Sequence, residues 1–159
     1  MARKARERGL TGTYHCIIRG IDKQDIFLDN QDRRKFLKEI VNTKKQHEYK
    51  LYAYCLMDNH VHLMIEDTKN NLDKIMQSIT IRYSLYFNKK YERVGHLFQN
   101  RYLSKVVDNE RYLLVLQRYI HQNPPNMQTY RWSSFGEYVY EPNMVDVDYI
   151  LNKFDTRQR

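Results

Sequence analysis

His60-Val61-His62 sets two imidazoles one residue apart. Alternate side chains leave a strand by the same face, so this pair projects side by side from one surface. Neutral imidazole is a good ligand for a divalent ion, and a strand fixes the separation of the two rings. They make half of a metal site. A second group lies far downstream, in Arg118-Tyr119-Ile120-His121-Gln122-Asn123, where Tyr119 and Asn123 stand four residues apart and share one face of a helix. Asn123 offers a carbonyl oxygen and Tyr119 a phenol. Laid over the histidines, the amide supplies a third ligand and leaves positions open for a phosphoryl oxygen, which a Lewis acid polarises. The phenol then stands as a nucleophile, since covalent catalysis splits one hard displacement into two easier ones. A tyrosine ester also conserves phosphodiester bond energy, so a cut strand can be rejoined without ATP.

Each of these readings has a plainer rival. A His-x-His pair on an exposed strand face can be there without a role, and Asp58-Asn59 before it can be only a turn. Tyr112 lies seven residues ahead of Tyr119, two turns back on nearly the same helical face, and is the rival nucleophile. The pairing with Asn123 favours Tyr119. His121 faces away from Tyr119 and suits packing or a phosphate contact. His15 falls on the same sheet face as His60 if their strands are neighbours, and so stands either behind the ligands or as a structural histidine. Trp132 is either core or a platform for stacking.

These groups need elements to hold them. Residues 13–20 alternate as a strand, with Tyr14, Cys16 and Ile18 on one face and His15, Ile17 and Arg19 on the other. Asp29 or Asn30 caps a helix running to about His47, with Phe36, Leu37, Ile40 and Val41 at helical spacing. Residues 50–57 form a strand that Asp58-Asn59 turns directly into the histidine strand, whose Val61, Leu63 and Ile65 point to a core. A second helix follows Asn71 with Leu72, Ile75, Met76, Ile79, Tyr83 and Phe87 in a stripe ending near Lys90. After a loop at Gly95-His96-Leu97-Phe98, residues 101–107 alternate as a fourth strand, and Asp108 or Asn109 caps a third helix over 110–122, stopped by Pro124 and Pro125. Residues 130–140 read as irregular but aromatic, and 146–154 as a last short helix. This order is the split βαβ, ferredoxin-like arrangement, an α+β antiparallel sheet with two helices on one face. The tyrosine-bearing helix is an addition near the other face, where His60 and His62 emerge.

At 159 residues the chain is one domain by length, with 42% hydrophobic residues to build its core. We expect a basic arm over 1–12, carrying Arg3, Lys4, Arg6 and Arg8, and one domain over 13–159. The net charge of +8 favours polyanionic partners, and the 14 tyrosines include rings on which unpaired bases could stack, although most tyrosines in any domain are core. No stretch is apolar for long enough to span a membrane, and the N-terminus lacks the apolar run of a signal peptide, which points to the cytoplasm. Cys16 and Cys55 sit in apolar strand patterns and read as buried free thiols.

Several short runs, in this order, resemble the single-tyrosine HUH transposases of the insertion sequence 200-like family, in particular the REP-associated tyrosine branch. They are Tyr14-His15 with Arg19-Gly20, Leu56-Met57 with Asn59-His60-Val61-His62-Leu63, and Gly95-His96-Leu97-Phe98 with Arg101-Tyr102. Arg118-Tyr119-Ile120-His121 with Asn123-Pro124, and Trp132-Ser133-Ser134, complete the set. Asp58 departs from the family's usual proline, and Pro125-Asn126-Met127 from its usual Val-Arg-Ala-like segment. The resemblance implies a metal-dependent nuclease and strand transferase on single-stranded DNA, cleaving beside a hairpin to leave a 5′-phosphotyrosine and a free 3′-hydroxyl. By motif, His60 and His62 are its metal ligands and Tyr119 its nucleophile; helix spacing adds Asn123. Mg²⁺ or Mn²⁺ suits such an oxygen-rich site. The arm residues with Arg19, Lys105 and Arg118 are candidate DNA contacts, and the assembly is a monomer or a homodimer. A histidine-triad hydrolase would need a third alternating histidine where Met64 stands, and an RNA-recognition domain would need strand aromatics that are missing. A cleavage-dead hairpin binder of the same fold is the closer alternative.

Overall fold

The computed structural model describes residues 11–157. The expected basic arm, with Arg3, Lys4, Arg6 and Arg8, lies almost wholly outside them. The elements run β1 (Thr13–Arg19), α1 (Asn30–His47), β2 (Lys50–Leu56), β3 (His60–Glu66), α2 (Leu72–Lys90), β4 (Leu103–Val106), α3 (Glu110–Gln122), α4 (Phe135–Val139) and α5 (Asp148–Arg157). The sheet order is β2-β3-β1-β4 with every neighbouring pair antiparallel, which is the expected split βαβ topology. The two motif strands, β1 and β3, are therefore its central pair.

Alternation divides the sheet into two faces. Tyr14, Cys16, Ile18, Leu51, Tyr54, Leu56, Val61, Leu63 and Ile65 are buried in one core with Phe36 and Ile40 of α1 and Ile75, Ile79, Tyr83 and Phe87 of α2. Tyr52, Cys55 and Met64 are buried in another, against Leu113, Leu116 and Ile120 of α3 and Ile150 of α5. The histidine face is thus not left open. The third helix lies across β2 and β3, and Met64 beneath it is fully buried.

Local chemistry sets the helix ends. Asp29 accepts from the Asp32 amide at the start of α1, and Asn109 accepts from the Tyr112 amide at the start of α3. Asn71 makes no such cap; the Asp67 carboxylate accepts from its amide at 2.6 Å instead. The outer edge of β2 is covered by chain from beyond α3. The Leu56 amide donates to Trp132, the Ser134 amide to Tyr54 and the Asp146 amide to Leu51, at 2.8, 2.9 and 2.8 Å.

Two expectations need correction. The fourth strand spans only Leu103–Val106, because Arg101 and Tyr102 turn away to Asp73 on α2 while Phe98 and Gln99 take the end of β1. The stretch read as irregular contains the short helix α4, held by a Tyr138 hydroxyl that donates to the Tyr52 carbonyl at 2.6 Å.

Candidate active site

β3 puts His60 and His62 on the α3 side of the sheet, their ring centroids 5.0 Å apart. His15 joins them from β1. His62 faces Ile17 in the register, and His15 lies two residues away on the same side, the diagonal position from which long side chains meet. The His15 Nε2 and His62 Nδ1 atoms are 2.9 Å apart and the rings stack. His60 Nδ1 lies 2.6 Å from the Asn59 Oδ1, which can only accept, so this nitrogen carries the proton. Both rings are thereby oriented through Nδ1.

α3 brings Tyr119 and Asn123 over these rings. The Tyr119 ring meets His62 edge-on at 5.7 Å and His15 at 6.3 Å, and its own surface is 52% exposed. Asn123, the residue that caps the end of α3, comes close enough to the His60 side chain to influence its protonation. Tyr112 sits elsewhere, beneath the Lys105 ammonium at 5.3 Å, with no ring contact to a histidine among the described residues. The phenol, both β3 imidazoles and the amide come together within one chain.

The site keeps its histidines neutral. Burial pushes His62 down to about 3, assisted by His15, His60 and Arg19. Burial likewise holds His15 at about 4, assisted by the Lys105 charge. His60 is lowered mainly by burial, against the raising influence of the Asn123 amide oxygen, and further by Arg19. A neutral ring offers a lone pair, so the electrostatics that make these residues poor cations make them good ligands. Arg19 is exposed at the end of β1 and lies opposite His60 in the register. Arg118 is exposed beside Tyr119.

His121 packs inside the fold. It is buried, its Nε2 lies 2.7 Å from the Ser134 hydroxyl, and Phe135 and Tyr138 pack on its ring. Ser134 Oγ also accepts from the Tyr54 amide at 2.9 Å, so this pair ties α3 to β2. Trp132 is core, with Arg131 over its ring. Asn59 and Ser134 belong to the recognised motifs, but neither has a spacing that reveals its partner. Gly20 has a steric reason, since a Cβ there would collide with the Gln24 carbonyl.

The sequence profile of the IS200-like transposases matches residues 10–123, which carry every residue of this site. The chain belongs to that family. A REP-associated tyrosine transposase, solved bound to a REP hairpin, has a similar structure at TM-score 0.74 and 15% identity, over 87% of this chain and 86% of that one. A protein of Deinococcus radiodurans R1 assigned to the transposases is similar at TM-score 0.52 and 17% identity, over 76% of this chain and 97% of that one. No curated protein matches in sequence. The family match makes this chain a transposase, and the two solved structures share its fold. Among the described residues no helix is long and apolar enough to cross a membrane.

Proposed function

We propose that this transposase is a metal-dependent single-stranded DNA endonuclease and strand transferase that cleaves beside a hairpin, as the REP-associated branch would. The observation that supports it most is the meeting of the exposed Tyr119 phenol with two neutral histidines on one chain. In this reading the Tyr119 oxygen attacks the scissile phosphorus, the bond from phosphorus to the 3′-oxygen breaks, and the phenol's proton ends on the departing 3′-hydroxyl. The products are a 5′-phosphotyrosine and a free 3′-end; attack by another 3′-hydroxyl reverses the step and joins strands.

The residues fit a divalent ion. His60 and His62 would hold it through Nε2, with the Asn123 carbonyl as the third ligand. Among the described residues no group of three or more His, Cys, Asp or Glu side chains could hold a metal, and the proposed set takes its third member from the Asn123 amide. Mg²⁺ or Mn²⁺ suits the phosphoryl oxygens and waters that would fill the remaining positions. When bound, the ion polarises the phosphoryl group and neutralises developing charge. Asn59 and His15 orient the two ligand rings, a task that commonly changes metal affinity about 10- to 100-fold on mutation. Arg19, Lys105 and Arg118 flank the site and would contact the DNA backbone, together with the arm residues.

The test is a denaturant-resistant protein–DNA adduct on hairpin DNA with Mn²⁺. Tyr119→Phe should abolish it and leave hairpin binding intact; an adduct lost in Tyr112→Phe instead would move the nucleophile. EDTA in excess should stop the reaction, and indifference to it would remove the metal. Because the phenol and its ligands share one chain, mixing Tyr119→Phe with His62→Ala should restore no activity; restoration would mean that subunits exchange the tyrosine helix. Binding without any adduct in the wild-type chain would favour the cleavage-dead alternative.

A further inference from the structure

A cavity of about 610 Å³ lies between α2 and the 95–102 loop, with neither His60 nor His62 in its walls but bordered by Arg19. That volume falls within the range of pockets that take a nucleoside-sized ligand. Its walls combine three chemistries. Phe98 and Tyr102 contribute rings, and across from them Ile81 and Leu85 of α2 stand 49% and 67% exposed. Gln77, Gln99 and Asn100 contribute side-chain amides that make no hydrogen bond among the described residues. Amides of this kind pair with the edges of bases, and an aromatic with an aliphatic wall accepts a flat ring between them.

Arg19 decides the direction in which a ligand would run. It borders the cavity, yet it also stands directly opposite His60 in the β1–β3 register. The cavity and the candidate active site are therefore reached from the same guanidinium, which makes no hydrogen bond or ion pair among the described residues. A backbone phosphate held by Arg19 would have a base on one side in the cavity and the scissile linkage on the other.

We propose that this cavity receives one unpaired base of the single-stranded arm that leads to the cleavage site, with Phe98 or Tyr102 as the stacking wall and Gln77, Gln99 and Asn100 reading its edge. The proposal rests on the reading of the chain as a hairpin-dependent single-strand nuclease, and it adds a place where a base outside the hairpin is read. It requires no movement of the sheet, because the lining side chains already face an open volume.

The probe is a DNA hairpin selected from a pool with a randomised stem for binding to the full-length chain. It is made with ten-nucleotide arms, with the same arms lacking their bases, and with no arms, and affinity is measured in EDTA. Removing the bases from one arm should weaken binding to wild type about fivefold or more, the scale of one lost base–aromatic stack. Leu85→Trp, which fills the mouth from an exposed position, should weaken the armed hairpin equally, become indifferent to base removal, and bind the armless hairpin as wild type does. Gln99→Ala with Asn100→Ala should reduce discrimination among arm sequences more than overall affinity. Indifference of the wild type to base removal would overturn the cavity proposal and leave the nuclease reading standing. Failure to select any hairpin would overturn both.

Discussion

The two faces of this sheet are built from the same strands and do opposite work. On the α1–α2 side, Phe27, Phe36, Tyr83 and Phe87 pack ring against ring, and a buried charge there, Asp32, is fully engaged. It accepts from Leu28, Tyr86, Lys90 and Tyr91 at 2.9, 2.9, 2.9 and 2.6 Å. On the α3 side, the buried histidines lie under a helix that leaves its tyrosine 52% exposed. Burial disfavours charge on both faces. One face answers by surrounding its charge with donors, the other by keeping its titratable groups neutral and available as ligands. In the proposed reading, stability and chemistry fall to opposite faces of the sheet.

The sharpest way to break this contrast is to truncate one tyrosine on each side. Tyr119→Phe should lower adduct formation about a thousandfold or more while chemical denaturation shifts by less than about 0.5 kcal/mol, since the hydroxyl lost is on an exposed ring. Tyr83→Ala, at a fully buried position, should cost about 3–5 kcal/mol by the same denaturation measurement. A catalytic collapse accompanied by unfolding in the first case would mean that the two faces are not separable. Asp32→Asn should cost about 2–3 kcal/mol at neutral pH, because the hydrogen bonds it accepts lose their charged partner.

The smallest effect is a difference in acid response. Burial drives His15 and His121 down to about 4 and His62 to about 3. Unfolded histidines take up protons near 6.5, so below that pH the unfolded chain binds more protons and stability falls. The contribution of neutral histidines is intact above about 6.5 and is lost as pH falls toward 4. For Asp32, burial opposes the charge but is outweighed by hydrogen bonds from Tyr91, Lys90, Leu28 and Tyr86, and its pKa falls below the ordinary 3.8. Its contribution persists through that window and is lost only at lower pH. Urea denaturation in EDTA should therefore weaken from pH 7 to 4. His121→Gln should flatten the slope by about 1 kcal/mol or more, since each tenfold loss of proton affinity on folding is worth about 1.4 kcal/mol. An unchanged slope would show that His121 does not enter the folded state neutral.

Much of this arrangement was legible before any coordinates. Period-two patterning in β1 and β3 assigned His15, His60 and His62 to one side, and the four-residue spacing of Tyr119 and Asn123 placed both on one face of α3. Local signals reached as far as a residue's own element. The role of His121 was undecidable because its partner, Ser134, comes from a segment without periodicity. The alternation of residues 101–107 overstates the fourth strand because Asp73, which draws Arg101 and Tyr102 out of the sheet, lies on α2. In both cases the deciding atom belongs to an element distant in sequence, and no pattern internal to the stretch records it.

The chain beyond α3 lies outside the residues that the family profile matches, yet it is what closes the sheet's outer margin. Backbone groups of Leu51, Tyr54 and Leu56 would otherwise face solvent in a row, the template on which foreign strands assemble. A version trimmed to the recognisable portion would keep its tyrosine and histidines but would expose an adhesive rim. Its first failure would be self-association in the test tube, before any chemistry could be measured.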